Sequence, residues 1–98
     1  MMEDLTGFQR DLLYVTAGLD DDSVPPHGLA IKSELEEDYS GEINHGRLYP
    51  NLNTLVDKGL LAKGEIDDRT NSYALTQRGD REIDARRQWE KQHVSVEQ

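Results

Sequence analysis

Apolar residues at Leu5, Phe8, Leu12, Val15 and Leu19 recur every three or four positions and predict one buried face of a helix. Thr6 followed three residues later by Gln9 reads as a capping box, in which hydroxyl and amide satisfy each other's backbone N–H groups. The stretch from Asp20 to Pro26 is a polar loop closed by two prolines, and proline favours a helix's first position because it has no N–H to lose there. A second helix is predicted from about His27 to Asp38, with Ile31, Leu35 and Tyr39 inward and Glu34, Glu36 and Glu37 outward. Ser40-Gly41 breaks it. Asn44 then caps a third helix running to about Lys58, with Leu48, Leu52, Leu55 and Val56 on its buried stripe and Gly59 as its stop.

Two short runs follow, Leu60–Ile66 and Asn71–Thr76, joined by Asp67-Asp68-Arg69-Thr70, which predicts a hairpin with a charged tip. Thr76 caps a last helix from about Gln77 to Val94. Its apolar residues fall on two sides: Ile83 and Val94 on one, Ala85, Trp89 and Val96 about 140° away at about 100° per residue. A helix with two apolar sides has two surfaces to cover, so one is assigned to its own chain and the other to a second subunit. The second and third helices, separated by a few residues, have the form of a helix-turn-helix. The predicted fold is mainly α with a small two-stranded β-wing, a winged helix-turn-helix over residues 1–76. Residues 77–98 form a C-terminal dimerisation helix in the same compact unit.

Composition adds three constraints. A chain of 98 residues with 35% hydrophobic content fits one small unit. Folding at this size removes only about 60–65% of the unfolded surface from water, so a partner chain would help. The chain has no cysteine, which excludes disulfides, thiolate zinc sites and thiol nucleophiles. No apolar run of membrane-spanning length occurs, and the N-terminus MMEDLTGF carries acids where a secretory segment carries bases. A cytoplasmic location is expected. The net charge is −9, and all of it resides in residues 1–43, which hold eleven acids and two bases; residues 44–98 hold nine of each. Such asymmetry suggests that one half meets a polyanion. Excess acid destabilises a compact chain by self-repulsion, which molar salt screens over about 3 Å, so a salt-filled cytoplasm is one reading.

Gly46-Arg47-Leu48-Tyr49-Pro50-Asn51-Leu52, followed by Leu55 and Gly59-Leu60, resembles the G-x-L-Y-P-x-L-x-x-L-x-x-x-G-L pattern of PadR-type transcriptional regulators. Arg69, Tyr73-Ala74-Leu75-Thr76 and Gly79 are similar to that family's wing arginine and strand-to-helix junction, and His27-Gly28-Leu29-Ala30-Ile31 to its opening of the second helix. With the acid excess, the chain resembles a haloarchaeal member. The resemblance implies a DNA-binding transcriptional regulator, a repressor by family default. The last helix is shorter than the C-terminal domains of many relatives, which puts an effector pocket between subunits in doubt.

A recognition helix that buries Leu48, Leu52 and Leu55 turns Gly46, Arg47, Pro50, Asn53 and Thr54 outward, with Asn51 and Lys58 at the margin. Arg47 is the leading base reader because its planar fork matches guanine O6 and N7, and Asn51 or Asn53 can pair with an adenine edge. His45 stands at the helix start. Tyr49 is expected to pack on the second helix with its hydroxyl towards a phosphate. Arg69 at the hairpin tip is expected in the minor groove, flanked by Thr70 and Asn71, and Lys32 is a candidate phosphate contact. A homodimer interface is expected at Leu5, Phe8, Leu12, Ile83, Trp89, His93 and Val96. The partners expected are double-stranded DNA and a second copy, with K⁺ or other cations at the DNA interface. No cofactor and no membrane are expected.

Catalysis is not expected, since His27, His45 and His93 have no metal-site spacing and no nucleophile has an evident base beside it. The competing reading is an acidic winged-helix interaction module, or DNA mimic, that binds a basic protein through its surface of charge −9.

Overall fold

Thr6 opens the first helix as the capping-box spacing requires: its hydroxyl accepts from the Gln9 N–H and its own N–H donates to the Gln9 amide oxygen, both at 3.1 Å. The computed structural model describes residues 2–20 and 24–94. A 3₁₀ turn at Met2–Asp4 precedes α1 (Gly7–Leu19), α2 (Gly28–Glu36) and α3 (His45–Asp57). An antiparallel pair, β1 (Leu61–Asp67) and β2 (Thr70–Leu75), then leads into α4 (Gln77–His93). Mainly α with a two-stranded wing is the architecture observed, and it is that of a winged helix.

Three of the helices, α1, α3 and α4, start where a side chain satisfies an orphan donor. The Asn44 side chain accepts from the Arg47 N–H at 2.9 Å and that of Thr76 from the Gly79 N–H at 2.9 Å. Gly59, at φ +78° directly after the cap of α3, stops that helix in the left-handed region that glycine enters without a Cβ penalty, whereas α2 already ends at Glu36, before Gly41 at φ +98°. α3 runs unbroken through Pro50.

The loop before α2 departs from expectation. The prolines precede the helix instead of starting it, and His27 takes the cap position without a side-chain bond. The Pro26 carbonyl instead accepts from the Tyr73 N–H at 2.9 Å, and His27 bridges Ser72, so this segment lies along the free edge of β2. Proline lacks a donor but keeps its carbonyl, and an edge strand can use that half.

The core is a leucine cluster contributed by every element except α4: Leu12, Leu13, Ile31, Leu48, Leu52, Leu55, Leu60, Leu61 and Tyr73 are all essentially inaccessible. Burying such side chains contributes about 1.5–3 kcal/mol each before the entropic costs. Leu5, Phe8 and Leu12, expected at a subunit interface, are 4%, 7% and 0% exposed within their own chain. Little or no surface is left on them for a partner, because all three belong to the chain's own hydrophobic core.

α4 buries only Gly79 completely, with Ile83 half-buried, so most of its 17 residues face outward. Its root is tied down because Gly79 crosses the Leu60 carbonyl and the Thr76 hydroxyl lies 2.7 Å from the Gly59 carbonyl oxygen. Among the described residues no helix is long and apolar enough to cross a membrane.

Candidate nucleic-acid interface

The leucine stripe of α3 is sunk in the core, which leaves His45, Gly46, Arg47, Pro50 and Asn53 exposed on its other side. Four of the five residues that the wheel turns outward, Gly46, Arg47, Pro50 and Asn53, are among them; the fifth, Thr54, is half-buried. Tyr49 is half-buried and packs on α2 at Gly28, and the His45 ring meets it edge-on, with centroids 5.7 Å apart and planes at 87°. A tyrosine held from both sides presents its hydroxyl in one direction.

Arg47 does not float free. Its guanidinium carbon lies 3.8 Å from the centroid of the Phe8 ring on α1. Among the described residues no carboxylate pairs with it. Asn51 is tied on both ends of its amide: Oδ1 accepts from Gln9 Nε2 at 2.9 Å, and Nδ2 donates to the Arg47 carbonyl at 2.7 Å. Bidentate pairing with adenine needs that same oxygen and nitrogen together. Asn53 is the more available of the two asparagines; among the described residues its Oδ1 meets Lys63 Nζ alone, at 3.4 Å.

The wing tip turns toward the start of α2. His27, Gly28, Leu29, Tyr49, Arg69, Thr70 and Asn71 line one cleft of about 260 Å³. Asp67 accepts from the backbone N–H of Arg69 at 2.9 Å, so the acid shapes the turn while the guanidinium has no carboxylate partner among the described residues. That backbone bond, with the Thr70 hydroxyl, holds the Asp67 carboxyl below its usual pKa of 3.8. The first N–H groups of α2 have no helical partner and stand at the mouth of this cleft, where the helix dipole favours an anion.

His27, Gly28 and Leu29 were not among the expected site residues, although they begin a recognised motif. Leu29 is 47% exposed in the cleft lining, which only the fold reveals.

Lys32 is the weakest of the expected DNA contacts. Its ammonium is held by Glu36 at 2.9 Å and Glu42 at 3.7 Å, and the Glu36 bond raises its pKa. The Glu36 carboxylate also accepts from the Ile43 N–H at 2.7 Å, which is the main cause of its own lowered pKa. The charge of Lys32 thus locks the turn between α2 and α3, and a phosphate would have to compete with two carboxylates. Lys58 caps the far end of α3, away from the cleft.

On α4 Trp89 is 47% exposed, with Arg86 stacked 4.1 Å from its centroid and the His93 ring at 4.6 Å. Trp89 and Arg86 line a groove with Met2, Glu3, Glu82 and Ala85. Val96 lies outside the described residues. Along this helix Arg86 pairs with Glu90, four residues on, at 3.9 Å.

The family model for the transcriptional regulator PadR-like family matches residues 19–85, which hold α2, α3, the wing and the root of α4. The chain belongs to the PadR-like family. RosR of H. salinarum, in crystals grown from NaBr, is 47% identical to this PadR-like chain; the match covers 99% of this chain and 84% of that one, with a TM-score of 0.79. The complex structure of hsRosR-SG is 46% identical over 98% of this chain and 82% of that one, at a TM-score of 0.84. F93 from STIV, a winged-helix DNA-binding protein, shares the fold at 22% identity and a TM-score of 0.69, covering 97% of this chain and all 100% of its own. No curated protein matches the chain. This PadR-like protein is a DNA-binding transcription regulator, and its acid excess fits its likeness to haloarchaeal RosR chains.

Proposed function

We propose that this PadR-like regulator is a sequence-specific repressor acting in a salt-rich cytoplasm as a homodimer, with α3 in the major groove and Arg69 in the adjacent minor groove. One observation carries the reading: the wing tip with Arg69, Thr70 and Asn71, Tyr49 of α3, and the open N-terminus of α2 all face one cleft beside the exposed side of α3. A recognition helix reads bases with its N-terminal residues, here His45, Arg47 and, about two turns on, Asn53. Catalysis has no place in this reading.

Binding a polyanion with a chain of charge −9 needs a physical account. An ordinary binder loses about 0.9 log units of affinity per phosphate neutralised for each log unit of salt. Here few bases face the proposed surface, and Lys32 is already neutralised by Glu36 and Glu42. Fewer ions are therefore released, and K⁺ held between acids and phosphates offsets repulsion.

Selection of a bound duplex from a random-sequence pool, then titration of that duplex and a scrambled one across molar KCl, tests this. The expected result is preference for the selected duplex with affinity flat or rising in salt. A steep fall in affinity with KCl would overturn the cation account. A protein that shifts no duplex under any salt would be the mimic instead.

A further inference from the structure

The first turn of α1 grips the first turns of α3 at two points. Phe8 places its ring under the Arg47 guanidinium, 3.8 Å from centroid to carbon. Its neighbour Gln9 donates from Nε2 to Asn51 Oδ1 at 2.9 Å, and Asn51 in turn bonds the Arg47 carbonyl at 2.7 Å. Arg47 and Asn51 are one helical turn apart, so two adjacent residues of α1 hold one edge of the reading helix.

Gln9 is itself immobilised. Its other amide atom, Oε1, accepts from the Thr6 N–H at 3.1 Å in the capping box of α1. The amide plane is therefore set from one end and passes its orientation to Asn51 at the other. Stacking engages the face of a guanidinium and leaves its N–H groups, which lie in the plane, for other acceptors. Arg47 is exposed and without a carboxylate partner among the described residues, so its fork is oriented and unspent. A long side chain already ordered loses less entropy on meeting its partner.

We propose that Phe8 and Gln9 are positioning residues for DNA reading: the ring and the amide aim Arg47 and hold the N-terminal turns of α3 at one angle to the groove. The inference rests on the proposed entry of α3 into the groove, and it names residues on a helix that touches no base.

The test compares Phe8→Leu, Gln9→Glu, Arg47→Ala, Asn53→Ala and the Phe8→Leu/Arg47→Ala double variant. The probes are the duplex selected by the wild-type chain and its scrambled counterpart, at fixed KCl, with thermal melting alongside. Gln9→Glu keeps an oxygen for the Thr6 N–H, so the cap and the melting temperature are retained, while the donor to Asn51 is lost. The ratio of selected to scrambled affinity is expected to fall about tenfold in Phe8→Leu and in Gln9→Glu, the loss of roughly one good base contact, with scrambled affinity unchanged in Phe8→Leu and lowered in Gln9→Glu only by its added charge, which acts on both duplexes alike. Phe8→Leu is expected to add nothing once Arg47 is alanine, because coupled residues are non-additive.

A wild-type ratio in both single variants, with Arg47→Ala impaired, overturns the positioning role and leaves α3 as the reading helix. An additive loss in the double variant does the same, since it marks a general loosening of the core. If Arg47→Ala and Asn53→Ala both keep the ratio, the α3 reading itself fails. Should Phe8→Leu not fold, Gln9→Glu decides alone.

Discussion

Tyr49 and Gly28 touch so closely that a Cβ on the glycine would lie 2.6 Å from the tyrosine Cε1 and 2.8 Å from its hydroxyl oxygen. The glycine is demanded here by the approach of α3 to α2. The contact sets how far Tyr49 projects into the cleft shared with the wing. Gly28→Ala must therefore displace the ring or separate the helices. The expected cost is about 1–3 kcal/mol of stability, as for other overpacked contacts. Weaker binding to the selected duplex should accompany it. Removing the clashing ring with Tyr49→Ala in the same chain should recover part of the lost melting temperature; no recovery in calorimetry would mean the strain lies elsewhere.

A second close approach sits at the root of α4, where a Cβ on Gly79 would run into the Leu60 carbonyl oxygen, a backbone atom that cannot rotate away. Gly79→Ala is expected to destabilise the chain by about 1–3 kcal/mol, although alanine is the better helix former. Thr76 offers a comparison at the same junction. Its hydroxyl accepts from the Gly79 N–H and sits 2.7 Å from the Gly59 carbonyl oxygen, so Thr76→Val should cost about 1–2 kcal/mol and Thr76→Ser much less. Urea titrations of the three variants check the order.

Tyr39 donates to Asp11 at 2.5 Å, joining the turn after α2 to α1. Burial first, and then that bond, push its phenol from 10.0 up to about 12. A raised pKa in the folded chain means stability that is fully present below pH 10 and lost as pH climbs towards about 12. Glu36 runs the other way. The Ile43 N–H and Lys32 lower its pKa, so its contribution is present above its ordinary value of 4.5 and fades as pH falls below it. Melting temperature against pH should show both limbs. Tyr39→Phe should flatten the alkaline one and Glu36→Gln the acid one; a variant with an unaltered limb would exclude that group as its source.

The chain has one tryptophan, and Trp89 is 47% exposed on the outer side of α4. If that side meets a second copy, tryptophan emission should shift to the blue as protein concentration rises, in step with a doubling of mass in sedimentation. Trp89→Ala should leave the winged domain folded and keep it monomeric at concentrations where the wild type pairs. Emission that stays red while the mass doubles would move the interface off Trp89.

The helices, their caps and the wing were readable because each depends on residues within about four positions of one another. Thr6 with Gln9, Asn44 with Arg47 and Thr76 with Gly79 are local bonds, and the leucine spacing of α3 identifies its buried side without reference to anything it packs against. The likeness of the Leu48-Tyr49-Pro50 stretch to PadR-type regulators carried the function by the same local route. Periodicity says which side of a helix is buried, but not the neighbour it meets or the azimuth at which it meets it. Tertiary packing therefore decided that Phe8 underlies Arg47 and that Gln9, 42 residues away in the chain, occupies the amide of Asn51. It also decided that Glu42 joins Glu36 on Lys32, and that the Pro26 carbonyl serves Tyr73 rather than a helix. These are contacts between elements, fixed only when the leucines of α1, α2 and α3 interlock, and they separate the side chains left free for DNA from those already spent on the fold.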